Sequence, residues 1–87
     1  MVPVMPWDII ASNITEAREQ LQEIEVRISR GVPPTECEFQ IMMQHAYHHL
    51  NFAWNVRNHP VERYVSLSQE DFERWRAFPA DLAFEDA

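Results

Sequence analysis

The feature that most constrains the fold is a run of eighteen residues, 39–56, that contains no Asp, Glu, Lys or Arg. Apolar residues recur through this run at the spacing of an amphipathic helix, which predicts a helix over about residues 36–58. A helix at the surface of a globular protein normally has a charged face. A helix without one is expected to be covered on more than one side.

The polar positions of this helix are filled by uncharged residues and histidines, and these are Gln40, Gln44, His45, His48, His49, Asn51 and Asn55. A broad apolar sector contains Met42, Ala46 and Leu50. A second apolar set, which consists of Ile41, Phe52 and Val56, falls on the far side among the histidines. The helix therefore has two apolar flanks.

The ends of two long helices are marked by local signals. Thr35 and Glu38 form the pattern of a capping box, and Gly31 followed by two prolines is typical of a helix end. Before Gly31 an apolar seam recurs at alternating intervals of four and three, which predicts a first helix over about residues 9–30. The seam consists of Ile10, Ile14, Ala17, Leu21, Ile24 and Ile28. The short connection makes the two helices an antiparallel hairpin.

After the second helix, the predicted elements are shorter. Residues 61–67 are interpreted as an extended connection, and Ser68 begins a short helix over about 69–77, which ends before Pro79. Residues 80–87 form an acidic C-terminal tail. The prediction is an all-α fold in a single small domain, 1–87: a long antiparallel helical hairpin plus a short third helix.

One short helix cannot cover a rod with two apolar flanks that is more than twice its length. The simplest cover is a second copy of the chain, which predicts a homodimer with a four-helix-bundle core. Two alternatives are a different protein docked along the same face and a self-sufficient three-helix monomer.

Charge excludes some classes of partner. Fourteen acids face seven arginines and no lysine, for a formal net charge of −7. Such a field repels nucleic-acid phosphates and anionic membrane surfaces, so we expect neither as a partner. The single cysteine, Cys37, precludes an internal disulfide. Without a signal h-region or an apolar span, the sequence predicts a cytoplasmic protein.

His45 and His49 have the i, i+4 spacing by which a helix can supply two ligands to one metal ion. No third ligand lies within reach on the same helix, so the prediction is no metal and no cofactor. The histidines are interpreted as partly buried hydrogen-bonding groups at a contact surface. If they are buried there in the neutral form, protonation near pH 6 would oppose association.

The sequence favours a non-enzymatic protein–protein interaction or assembly module that self-associates through the uncharged face of the second helix. No catalytic residue is predicted. The predicted interface residues are Ile41, His45, His48, His49, Phe52 and Val56. Two other classes stay open. One is a small histidine-based metal-binding or enzymatic protein whose site forms at an oligomer interface. The other is an acidic adaptor or inhibitor of a basic protein.

Overall fold

The computed structural model of the chain describes residues 5–82. Its regular elements over this range are four helices: α1 (Trp7–Ser29), α2 (Glu36–Asn55), α3 (Val61–Val65) and α4 (Gln69–Trp75). The all-α class is confirmed. The long helices α1 and α2 pack together along their length, and α4 lies against α2.

The turn between α1 and α2 is built from two capping motifs. Gly31 has a φ of 76°, and its N–H donates to the carbonyl of Ile28 at 3.1 Å. The N–H of Val32 donates to the carbonyl of Arg27 at 3.0 Å, which completes a Schellman motif. The capping box at Thr35 is confirmed, since the Thr35 side chain accepts from the Glu38 N–H while the Glu38 carboxylate accepts from the Thr35 N–H.

α2 and α4 begin at the predicted residues, and the other ends of the three predicted helices differ from the structure by one to three residues. α1 begins at Trp7, earlier than predicted, because the carbonyl of Pro6 accepts from the Ile10 N–H at 3.0 Å. α2 ends at Asn55, and turns over the next residues lead to Pro60. α4 ends at Trp75, two residues before the predicted end.

The extended connection predicted over 61–67 is wrong, because Val61–Val65 form the single-turn helix α3. Pro60 is its N-cap, with extended φ and ψ of −71° and 154°, and the Pro60 carbonyl accepts from the Arg63 N–H at 3.0 Å. A tertiary contact with α4 stabilises α3. Arg63 donates to both carboxylate oxygens of Asp71 in α4, at 2.9 and 3.2 Å.

The main cluster of large buried side chains lies at one end of the hairpin. Phe52, Val56 and Trp75 are at most 3% exposed. The partly buried residues packed around them are Ile9, Ile10, Tyr64, Leu67 and Phe72. These residues come from α1, α3, α4 and the segment that joins α3 to α4. The short helices therefore cover part of the far flank of α2 within one chain.

Two asparagines of α2 hold the end of α4. Asn51 donates to the carbonyl of Arg76 at 2.7 Å, and Asn55 donates to the carbonyls of Trp75 and Ala77 at 2.8 and 3.1 Å. These carbonyls lie at the C-terminal end of α4 and directly after it, where no intrahelical donor remains. The side chains of Asn51 and Asn55 thus cap the C-terminal end of α4 in place of water.

Of the acidic tail predicted over 80–87, residues 83–87 lie outside the described range. Of the described tail residues, Asp81 forms hydrogen bonds with residues at the C-terminal end of α2 and directly after it. Its carboxylate accepts from the Trp54 indole at 3.0 Å and from Arg57 at 2.7 Å. From residue 5 to residue 82, no helix combines the length and the apolar character needed to cross a membrane.

Candidate functional site

An apolar surface runs along one side of the hairpin and is covered by no other described element. Its five side chains are each 39–57% exposed. They are Ile14, Leu21 and Ile28 of α1 and Phe39 and Leu50 of α2. We call this surface the apolar face. Large apolar side chains gathered on one side of a small protein are typical of an interaction site.

The apolar face arises because the seam of α1 is wider than its contact with α2. The buried residues of α1 are Asn13, Ala17 and Ile24, and these mark the line of contact. At 100° per residue, Leu21 lies roughly 40–80° away from the residues on that line. The helix therefore presents only part of its apolar seam to α2 and leaves the rest on the flank.

A groove of about 620 Å³ lies in the apolar face where the two helices meet. Leu50 of α2 lines it together with Ile14 and Leu21 of α1, and Ala17 also contributes. Its remaining lining residues are polar: Arg18, Gln22 and Glu25. The groove is an apolar channel with charges of both signs beside it.

The predicted interface residues do not share one surface. Phe52 and Val56 are 3% and 1% exposed and belong to the core, because α3 and α4 cover them. Ile41 is 67% exposed, and it lies on the flank of α2 opposite to the apolar face. A contact with another chain that leaves this fold intact can include Ile41 but not the other two.

The histidines lie on that same opposite side, where α1 holds two of them. The Nδ1–H of His49 donates to Oδ1 of Asn13 at 2.9 Å, and the Nδ1–H of His45 donates to Oε1 of Gln20 at 2.8 Å. The two Nε2 atoms of His45 and His49 are 3.1 Å apart. Burial lowers the pKa of His49, and so does His45, while the carboxylate of Glu16 acts in the opposite direction.

His48 is turned away from this pair and packs on the core. Its ring centroid lies 4.6 Å from that of Phe52 and 5.3 Å from that of Phe72. Burial is the main cause that lowers its pKa, and the neighbouring histidines and Arg76 add to the effect. His48 also lines a shallow cleft of about 760 Å³ between α2 and the end of α4.

Over residues 5–82, no three His, Cys, Asp or Glu side chains are grouped so as to hold a metal ion. Cys37 is exposed in the first turn of α2 between two glutamates.

Sequence reasoning missed Asn13, which is only 3% exposed. Its Nδ2–H donates to the carbonyl of Ile9 at 3.0 Å while its Oδ1 accepts from His49. A signal was present, since Asn13 lies one residue before Ile14 at the edge of the predicted seam. A polar residue there indicates a specific partner on the facing helix.

No protein-family model, no curated protein and no solved structure matches the chain.

Proposed function

We propose that this chain is a non-enzymatic assembly module that forms a homodimer through the apolar face. The uncharged side of α2 contributes Phe39 and Leu50, and α1 contributes the exposed part of its seam. Burial of apolar area is the main driving force of association between proteins. The observation that carries the proposal is the symmetry of this face.

The apolar face is symmetric about Leu21. Ile14 and Ile28 lie seven residues before and after it, at the same side of α1. Leu50 borders the same groove as Ile14. At the other end, Phe39 and Ile28 are at the same level along the hairpin, since the preceding residues of each helix, Glu38 and Arg27, form an ion pair at 3.4 Å.

A face with this symmetry complements itself. A two-fold axis that crosses the hairpins at Leu21 brings Ile14 and Leu50 of one copy against Ile28 and Phe39 of the other. It places the two α1 helices antiparallel to each other, as it does the two α2 helices. Every neighbouring pair in the resulting four-helix bundle is then antiparallel.

Charge complementarity supports the same arrangement. Arg18 and Glu25 line the groove, three residues before and four residues after Leu21. Neither belongs to any of the ion pairs found within residues 5–82. In antiparallel α1 helices centred on Leu21, Arg18 of each copy lies opposite Glu25 of the other, which gives two ion pairs per dimer.

A cytoplasmic location is compatible with this proposal. Cys37 is exposed and has no second cysteine in the chain. A lone exposed thiol is stable in a compartment that keeps thiols reduced.

The test is the oligomeric state of matched variants. Sedimentation velocity at two concentrations should give a dimer for the wild-type chain and a monomer for Leu21→Asp, which puts two carboxylates at the centre of the contact. Ile41→Asp is the control, since Ile41 is 67% exposed on the opposite flank of α2. A monomeric wild type, or a dimer lost in Ile41→Asp and kept in Leu21→Asp, refutes the proposal.

A further inference from the structure

His45 and His49 lie one turn apart on α2, and their rings meet through the same type of nitrogen. The ring centroids are 4.7 Å apart with an interplanar angle of 68°, and the two Nε2 atoms are 3.1 Å apart. A neutral imidazole has one nitrogen that carries a proton and one that carries a lone pair. If Nδ1 of a neutral ring carries the proton, Nε2 of that ring carries the lone pair. The hydrogen-bond partner of each Nδ1 therefore determines whether Nε2 can accept a proton or bind a cation.

α1 determines the state of His49. Asn13 is buried, and its Nδ2–H donates to the carbonyl of Ile9, so the amide cannot be reversed without losing that bond. Its Oδ1 must then accept from Nδ1–H of His49. Nε2 of neutral His49 consequently carries a lone pair and points at His45.

Gln20 acts in the same way on His45. Its Oε1 lies 2.8 Å from Nδ1 of His45 and accepts a hydrogen bond from Nδ1–H in the tautomer that leaves a lone pair on Nε2. In that tautomer the Nε2 lone pairs of the two rings, 3.1 Å apart, repel each other. A proton or a metal ion shared by the two nitrogens makes the contact attractive.

We propose that His45 and His49 form a chelating site for a divalent transition-metal ion, with their Nε2 atoms as ligands. Zinc–nitrogen bonds of about 2.0–2.1 Å at a tetrahedral angle separate two nitrogens by roughly 3.3 Å. Imidazole is a ligand suited to Zn²⁺, Ni²⁺ and Cu²⁺. The observed separation needs to widen only slightly to fit this geometry.

The surroundings of the pair suit this role. Histidines that bind metal usually donate their other ring N–H to an oxygen acceptor, which fixes the ring and its tautomer. Asn13 and Gln20 provide that acceptor for each ring. Glu16 is a carboxylate whose charge favours positive charge on His49. His45 is exposed, so water can complete the coordination sphere.

This site does not depend on the proposed dimer, because the pair lies on the side of the hairpin opposite to the apolar face. Failure of one proposal can therefore be told from failure of the other. Metal binding is measured by calorimetry, and dimer formation is measured by sedimentation.

The experiment is calorimetric titration of the full chain with NiCl₂ and with ZnCl₂ at neutral pH. We expect one ion per chain, a loss of affinity of at least about tenfold in His45→Ala and in His49→Ala, and a smaller loss in Gln20→Ala. His48→Phe is the matched control, since His48 is turned onto Phe52, and it should bind as the wild type does.

A second readout is ¹⁵N NMR of the imidazoles, in which Zn²⁺ should shift the Nε2 signals of both His45 and His49. Far-UV circular dichroism checks that each variant is folded. His45 is exposed, so His45→Ala is expected to fold, and it provides the test if His49→Ala unfolds. The proposal is overturned by a wild-type chain that binds neither metal at millimolar concentration. It is equally overturned if His45→Ala binds either metal as tightly as the wild type.

Discussion

Phe52 of α2 and Trp75 of α4 pack edge to face, with ring centroids 6.2 Å apart and an interplanar angle of 86°. This contact joins the hairpin to the C-terminal part of the described chain. Trp75 is 2% exposed, and with Val56 it is one of the largest fully buried side chains. The Trp75 indole is therefore a central contact in the placement of α4 and in the burial of the far flank of α2.

Removal of that indole should strongly destabilise the fold. We expect Trp75→Ala to lower the free energy of unfolding by about 3–5 kcal/mol, because it leaves a large cavity beside Phe52 and Val56. Urea denaturation at a fixed protein concentration measures the loss. Trp7→Ala is the control: Trp7 is 61% exposed, and its removal should cost less than about 0.5 kcal/mol. Equal losses in both variants would contradict this assignment of the core.

The hairpin could be predicted from the sequence because its signals are local. Gly31 and Thr35 act on the residues next to them, through a left-handed backbone conformation and a capping box. Such signals do not depend on the rest of the fold. The class of the fold and the turn between α1 and α2 follow from them.

The cover over Phe52 and Val56 could not be predicted in the same way. It depends on α3, which is five residues long and too short to show a periodic pattern. It also depends on the ion pair of Arg63 with Asp71, two residues whose pairing is set by tertiary contact. The histidine cluster was visible as a spacing, but its geometry is set by Asn13 and Gln20 of the facing helix.

The capping box should contribute measurably to stability. Thr35→Ala removes the hydroxyl that accepts from the Glu38 N–H at 3.2 Å. We expect a loss of about 1 kcal/mol in the free energy of unfolding. Thr35→Ser keeps the hydroxyl and should restore most of it. If the alanine and serine variants have the same urea midpoint, the hydroxyl contributes nothing.

Charge reversal should test the register of the proposed dimer. Arg18→Glu alone places like charges opposite Glu25 and should weaken the dimer, and Glu25→Arg alone should do the same. The double reversal restores two opposite-charge pairs and should recover the affinity. With about 0.5–1 kcal/mol per pair, the single changes should raise Kd roughly five- to thirtyfold at low salt.

The measurement for this cycle is sedimentation equilibrium at low and high salt. The effect of each single reversal should shrink at high salt, since the charges are at the rim of the contact. A double reversal that is weaker than either single one would place Arg18 and Glu25 apart and exclude a two-fold axis at Leu21.

The ion pair between α3 and α4 should determine part of the acid stability. Hydrogen bonds from Arg63 are the main cause that lowers the pKa of Asp71 below its usual value. A carboxylate with a lowered pKa stabilises the folded state above the unfolded pKa, near 4, and this contribution is lost as pH falls towards the folded value. Arg63→Gln should therefore shift acid unfolding to higher pH. Acid titration followed by circular dichroism measures it, with Arg30→Gln as an exposed control.

His48 should make the fold less stable in mild acid. Its imidazole lies against Phe52 and Phe72, and protonation there places charge on an apolar surface near Arg76, His45 and His49. Because burial lowers its pKa, the unfolded chain binds a proton that the folded chain resists. The contribution of neutral His48 is complete above the unfolded pKa of about 6.5 and is lost as pH falls from there to the folded value.

His48→Phe keeps a ring between the same neighbours and removes the titration. Between about pH 7.5 and about pH 5.5, the urea midpoint of the wild type should fall further than that of the variant. Some decline should persist in the variant, since burial also lowers the pKa of His49 and of His59. NMR titration of the wild type gives the direct measurement. Two results would contradict this prediction: stability curves of the wild type and of His48→Phe that run parallel with pH, or a His48 pKa at or above that of a free histidine. Either result would show that the His48 ring is solvated and that its contact with Phe52 does not govern the response to pH.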